Sequence, residues 1–279
     1  MKKIFSIALA VLMVVGMFAG CGSSAEETQA PETTAAAETT AAAVETTEAF
    51  EAAAFTTIEE GKLIMSTNAA FPPYEMVADD GSFEGIDVEV AGAIAAKLGL
   101  ELVVDDMEFD AALLAVQQNK SDIVMAGVTV TEDRKLVMNF SDSYATGVQV
   151  IIVSEGSDVT IDNLGEKMIG TQRATTGNIY ASDDYGEDHV TAYDNGASAV
   201  QALKNGQVDC VIIDSAPAEA FVAANPGLTI LDTEYVTENY AIGINKENTA
   251  LVDAINGALA ELTADGTVQA IVDKYISAE

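Results

Sequence analysis

From Ile58 onward the chain alternates short apolar runs with apolar residues at helical spacing, and that alternation restricts it to an α/β architecture. Leu63-Ile64-Met65-Ser66-Thr67 reads as a buried strand. Asp80-Gly81, between Tyr74–Val77 and Ser82–Gly85, predicts a hairpin turn. Val88, Ala91, Ile94, Ala95 and Leu98 recur at helical spacing and stop at Gly99. Glu101–Val104 predicts a strand, Phe109, Leu113 and Val116 a helix, and Asp122–Gly127 another strand. A second unit repeats the pattern. Val148–Val153, Met168–Gly170 and Val208–Ile213 read as strands, and Val200 and Leu203 mark a helix ending at Gly206. After Ala241–Ile244, one helix carries Leu251, Ile255, Leu259 and Leu262, and a last one carries Val268, Ile271, Val272 and Tyr275. Two α/β lobes of ordinary domain size are expected. Lobe 1 takes residues 58–147 plus 240–279 and lobe 2 takes 148–239, so the chain crosses between them near Gly147 and again near Tyr240.

The segment before Ile58 has a different character. Lys2 and Lys3 precede a stretch from Ile4 to Ala19 that is short for a membrane span of about 20 residues. It ends Phe18-Ala19-Gly20-Cys21, which resembles the lipobox of bacterial lipoproteins, except that Phe18 stands where an aliphatic residue is usual. The resemblance implies a signal peptide over 1–21 and a lipid on Cys21. A plain signal anchor with an incidental cysteine is the alternative. Residues 22–57 hold twelve Ala, nine Thr, seven Glu and no Lys or Arg. Side chains larger than Ala are nearly absent among the apolar ones, so this stretch cannot bury enough surface to offset its ordering entropy. It reads as a disordered tether.

Forty-five Asp and Glu against twelve Lys and Arg give a formal charge of −33. No basic face can be assembled for nucleic acid or for anionic headgroups. With one histidine, His189, and two cysteines, Cys21 and Cys210, a Cys/His zinc site lacks ligands. The acidic loop Asp183–Asp188 lacks the ligand alternation of a calcium loop. No metal and no cofactor are expected. Cys210, in a predicted strand, reads as an inert small hydrophobe.

The chain has only two arginines, Arg134 and Arg173, and both follow predicted strands, where open α/β sheets bind ligands. Gly127-Val128-Thr129-Val130-Thr131-Glu132-Asp133-Arg134 offers close backbone approach, hydroxyls and a planar fork for a carboxylate. Thr171–Gly177 leaves another strand and enters a helix, whose N-terminus favours an anion. Asp214 ends a third strand. An arginine, a helix N-terminus and an aspartate suit a zwitterion, with carboxylate at one pole and ammonium at the other. Read alone, Arg134 is better taken as a helix cap or an ion pair with Glu132 or Asp133.

These blocks, with Thr67-Asn68-Ala69-Ala70-Phe71-Pro72-Pro73-Tyr74-Glu75, Gly85–Ala91, Phe140–Tyr144 and Asp265-Gly266-Thr267, occur in order across residues 58 to 276. Together they resemble the polar amino-acid family of bacterial periplasmic binding proteins, the solute receptors of ABC importers. The resemblance implies the two-lobed type II fold, with a hinge of two crossing segments. It implies that Arg134 holds the ligand α-carboxylate, assisted by the Thr129 hydroxyl and the Gly127 and Thr176 backbone. Asp214 would hold the α-ammonium, Phe71 and Phe109 would flank the side chain, and Tyr74 lies beside them. Asn68 stands where relatives that bind cationic side chains carry an acid. Arg173 and Ala174 depart from the usual residues of their loop, Ala174 replacing a glycine.

A neutral, glutamine-like ligand is therefore expected slightly ahead of a basic one, with Arg173 able to reward an acidic side chain. The expected partners are a free amino acid and an ABC permease, and the protein is expected to be a monomer held outside the cell membrane by its lipid. It is not expected to be an enzyme. The alternatives are a cyclohexadienyl-type dehydratase on the same fold, which needs a proton donor that Asn68, Phe71 and Phe109 do not supply, and a ligand-sensing domain. A sensor is expected to continue into a membrane helix, whereas this sequence stops at Glu279.

Overall fold

The computed structural model describes residues 55–276. The expected signal peptide, the lipidated Cys21 and nearly all of the tether lie outside the described residues. The chain enters through β1 (Lys62–Thr67), β2 (Ala70–Phe71), β3 (Glu75–Val77) and β4 (Phe83–Glu84). There follow α1 (Ile86–Lys97), β5 (Glu101–Asp106), α2 (Phe109–Gln117), β6 (Ile123–Val124) and α3 (Glu132–Val137). The long strand β7 (Met138–Ser154) leads to β8 (Ile169–Gln172), α4 (Thr176–Tyr185), β9 (Val190–Tyr193) and α5 (Gly196–Lys204). Next come β10 (Cys210–Asp214), α6 (Ser215–Ala224) and β11 (Leu228–Ile230). A second long strand, β12 (Val236–Asn245), returns before α7 (Thr249–Ala264) and α8 (Thr267–Tyr275).

One sheet runs in the order β5-β1-β6-β12-β7-β10-β8-β9, with β11 also paired to β7. Its two wings are parallel: β1 pairs with β5 and β6, and β8 pairs with β10 and β9. The centre is antiparallel, because β12 lies against both β6 and β7, and β7 against β10. The alternation read from the sequence thus produces two α/β wings, and the two long strands join them. Gly147 on β7 stands opposite Glu238 on β12, and Ala145 opposite Tyr240.

Local sequence explains most elements. In α1, Val90, Ala91, Ile94 and Ala95 form the buried stripe, while Asp87 and Glu89 in the first turn and Lys97 in the last complement the helix dipole. Asp80-Gly81 turns the hairpin that sets Val77 opposite Phe83. The second wing closes over Ile151, Ile169, Ile212 and Cys210. Burial lifts the Cys210 thiol to about 12, which leaves it unreactive. One predicted strand is shorter than expected. Of Asp122–Gly127 only Ile123–Val124 is in the sheet. The Asp122 carboxylate accepts from the Ile58 and Ile64 backbone at 2.8 Å, and Gly127 N–H leaves the ladder to donate to Asp87 Oδ2 at 2.9 Å.

Candidate functional site

The short β6 is what brings Gly127–Arg134 to a cavity. Gly127 has φ +55°, and a Cβ there would come within 2.9 Å of Phe71 Cε1, so both backbone conformation and space call for glycine. Asp87 Oδ2 fixes its N–H, and Tyr144 Oη donates to Asp87 Oδ1 at 2.7 Å. The Thr131 hydroxyl caps α3 by accepting from Arg134 N–H at 3.2 Å. Arg134 therefore sits in the first turn with its side chain turned inward. Its Nη1 donates to the Thr129 carbonyl at 2.8 Å and its Nη2 to the Ala174 carbonyl at 3.0 Å. The guanidinium lies 5.5 Å from the centre of the Phe109 ring. Glu132 pairs with Lys135 instead, so the ion-pair alternative is not what the arginine does. Burial pulls the Arg134 pKa below its ordinary value, the direction for a cation withdrawn from water.

Asp214 reaches the same cavity from the end of β10. Tyr240 Oη donates to Oδ1 and Gln149 Nε2 to Oδ2, the latter at 2.9 Å. Burial nevertheless pushes its carboxyl up to about 7. Glu238 lies beneath. Its Oε2 accepts from Thr129 at 3.2 Å, from Thr176 at 2.9 Å and from Gln149 at 2.9 Å. Thr176 opens α4, whose cap is Thr175. On the opposite wall, Phe71 stacks on Tyr74 with ring centres 5.9 Å apart, and Tyr74 meets the edge of Tyr240 at 5.2 Å. The Asn68 amide is occupied at both ends: Nδ2 donates to the Met107 carbonyl and Oδ1 accepts from Gln172 Nε2, each at 2.9 Å.

The space between the walls, open solvent at the mouth included, is about 320 Å³. Asn68, Phe71, Phe109 and Gly127 line it, and so do Thr129, Arg134, Thr176 and Asp214, which brings together every ligand residue expected from the sequence. Arg173 does not line it. That side chain is half exposed and paired with Asp194 at 2.6 Å, so it is not placed to reward an acidic ligand. Sequence reasoning missed Glu75, Gln172 and Thr175 on the wall, and Glu238 and Gln149 behind it. The signal for Gln149 was its place as the one polar residue of Val148–Val153. Glu75 is fully buried on the cavity wall, where its carboxyl has the Asp87 carboxyl as its hydrogen-bonding neighbour and no N–H donor. Burial pushes its pKa well above the ordinary value, and the neighbouring Asp87 carboxylate pushes it further. Asn68, Phe71 and Phe109 supply no acidic proton to the cavity, and Glu75 adds a carboxyl to its wall.

A family model for bacterial extracellular solute-binding proteins, family 3, matches residues 63–278. The chain is 32% identical over 235 residues to a probable histidine-binding protein of Neisseria gonorrhoeae, covering 81% of this chain and 88% of that one. It is 29% identical over 219 residues to ABC transporter arginine-binding protein 1 of Escherichia coli (strain K12), covering 77% and 90%. Among solved structures, an ancestral arginine-binding protein bound to glutamine superposes with a TM-score of 0.75 at 37% identity, covering 79% of this chain and 100% of that one.

Proposed function

The chain belongs to family 3 of the bacterial extracellular solute-binding proteins, and from that premise we propose how its cavity works. The protein is an amino-acid-binding receptor of an ABC importer. It closes around one free amino acid outside the cytoplasm and presents it to the permease. The observation that carries the reading is the meeting of Arg134 and Asp214, opposite charges from two wings of the sheet, on the wall of one buried cavity. In it, Arg134 takes the α-carboxylate, with the Thr129 hydroxyl and the backbone of Gly127 and Thr176 assisting. Asp214 takes the α-ammonium. Phe71 and Phe109 flank the side chain and Asn68 stands near its end. Residues 58–147 with 240–279 form one lobe and 148–239 the other, and β7 and β12 are the hinge about which they close. The receptor acts as a monomer, tethered by residues 22–57 to a lipid on Cys21.

Calorimetry on the wild type and Arg134→Ala tests the reading. Removing one partner of a buried charge pair costs roughly 3–5 kcal/mol, so the variant loses at least about a hundredfold in affinity. Amino-acid binding within about threefold of wild type by a folded Arg134→Ala would refute the carboxylate role. Glu75, buried on the wall, gives a dehydratase reading a candidate acid. Incubation with prephenate and arogenate is expected to leave both unchanged, and product formation would establish the enzyme instead.

A further inference from the structure

We propose that Glu238, which lies behind the cavity rather than on its wall, is a positioning residue. By taking the hydroxyl protons of Thr129 and Thr176 it turns both oxygens to the cavity as acceptors for the ligand's α-ammonium. This rests on the receptor reading above and moves one contact within it, the Thr129 hydroxyl, from the carboxylate to the ammonium.

A hydroxyl has one proton to donate and two lone pairs, and an ionised carboxylate only accepts. Glu238 is buried on β12, and its Oε2 meets Thr129 Oγ1 at 3.2 Å, Thr176 Oγ1 at 2.9 Å and Gln149 Nε2 at 2.9 Å. Both hydroxyl protons therefore point away from the cavity that the two threonines line. Their oxygens stand 3.4 Å apart with no further proton to share. The backbone keeps Thr129 in place. Val130 N–H donates to the Asn239 carbonyl and Ala241 N–H to the Val128 carbonyl, each at 3.1 Å, which fixes the residue beside the strand that carries Glu238. Burial lowers the Arg134 pKa, and the negative charge of Glu238 opposes that fall.

The neighbouring donors are turned the same way. Gln149 Nε2 donates to both Asp214 Oδ2 and Glu238 Oε2, and Tyr240 gives its hydroxyl proton to Asp214 Oδ1. Thr129, Thr176, Gln149 and Tyr240 thus keep no side-chain N–H or O–H for a ligand, and the floor around Asp214 offers acceptors. An ammonium brings three N–H donors and no acceptor, which suits such a floor. A 2-hydroxy acid brings one O–H donor, which Asp214 answers, and leaves the other acceptors unmet. Recognition of the amine is then a property of the whole floor, with Glu238 setting its polarity.

The test uses the full chain, stripped of carried-over ligand and screened by calorimetry against the common L-amino acids. The amino acid that binds tightest and its 2-hydroxy analogue, the latter by competition, are titrated into wild type, Thr129→Val, Glu238→Leu, Glu238→Gln and the Thr129→Val/Glu238→Leu double variant. Thr129→Val is expected to weaken the amino acid about tenfold and the hydroxy analogue by no more than about threefold. A Thr129 hydroxyl that donated to the carboxylate would cost both ligands alike. In Glu238→Leu the preference for the amino acid over its analogue falls about tenfold, and adding Thr129→Val changes it no further. Glu238→Gln, which keeps an acceptor oxygen, holds the wild-type preference within about threefold. Equal losses of the two ligands in Thr129→Val overturn the inference and leave the receptor reading intact, and that arm decides the matter even where Glu238→Leu does not fold. So does a folded Glu238→Leu with the wild-type preference. Binding of no amino acid removes the receptor reading, and this inference with it.

Discussion

Tyr240 on β12 donates its hydroxyl to the Asp214 carboxylate at the end of β10, and the contact passes directly over the backbone of Gly147. A Cβ at Gly147 would lie 2.7 Å from Asp214 Oδ1 and collide with the Tyr240 ring, which is fully buried and has nowhere to move. Gly147→Ala is therefore expected to destabilise the fold by about 1–3 kcal/mol through overpacking. Thermal unfolding would then fall by several degrees, and amino-acid affinity would drop as Asp214 is displaced. An unchanged melting temperature with unchanged affinity contradicts this packing.

The same hydrogen bond sets a pH dependence of binding. Burial raises Asp214 to about 7, and the Tyr240 donor works against that rise. Below about pH 7 the carboxyl gains a proton and loses its attraction for an ammonium, so wild-type affinity falls as pH falls. Tyr240→Phe removes the donor and lifts the carboxyl further. Its affinity is expected to fall at higher pH than that of the wild type. Calorimetric titrations across this range check it, and superimposable pH profiles for the two proteins would remove Tyr240 from the argument.

Stability carries its own pH signature. Burial holds Asp87 at about 6 and Asp214 at about 7, both above the ordinary 3.8. Each binds its proton more tightly folded than unfolded. The stability each contributes is fully present below about pH 4 and is lost as pH rises through about 6 and then about 7. Exposed carboxylates held low, such as Asp158 beside Lys167, act in the opposite sense but only at more acid pH. The ligand-free protein is thus expected to melt higher at about pH 5 than at about pH 8, and Asp87→Asn to flatten that fall. A wild-type melting temperature that is level across this interval would show that the buried carboxyls carry no such linkage.

Ala174 has φ +62°, a left-handed conformation that costs a residue with a Cβ roughly 1–2 kcal/mol. The loop keeps it there because its carbonyl accepts from Arg134 Nη2. Ala174→Gly relieves that strain and gives back part of the gain as unfolded-chain entropy. The net expectation is a stabilisation of up to about 1 kcal/mol, read as a rise of about 2–4 °C in melting temperature. A fall in melting temperature would mean that the Ala174 methyl packs more favourably than its backbone is strained.

Elements with their own apolar period were legible in the sequence: β1, α1, β5 and α2 all stand where the spacing puts them. The first half of β7 was not. Asn139 to Thr146 carries Ser141, Asp142 and Ser143 and has no clean alternation, and it is a strand because β12 pairs with it from far along the chain. In α3, Leu136 and Val137 face solvent, so no buried stripe announces the helix. Helix α6 opens on Ser215-Ala216-Pro217-Ala218, small residues that give no period. Within the cavity, Arg134 stood out because arginine is rare here, and Asp214 because it ends an apolar run. Glu75 and Glu238 did not, since one carboxylate among forty-five acidic residues carries no signal until its burial is known.

The antiparallel pairing of β12 with β6 and β7 also dictates an order of assembly. β6 has β1 on one side, but its other edge waits for β12, and the outer face of α1 waits for α7 and α8. A chain emerging N-terminus first can complete the wing of β8, β9 and β10 while the wing that begins at β1 still has an open strand edge and an uncovered helix. The wing that begins at β1 is then the last to be finished, and its contacts span most of the described sequence, a topology that folds slowly. Cutting the chain before β12 would remove a structural partner of its opening strands, leaving the first wing unable to close on itself.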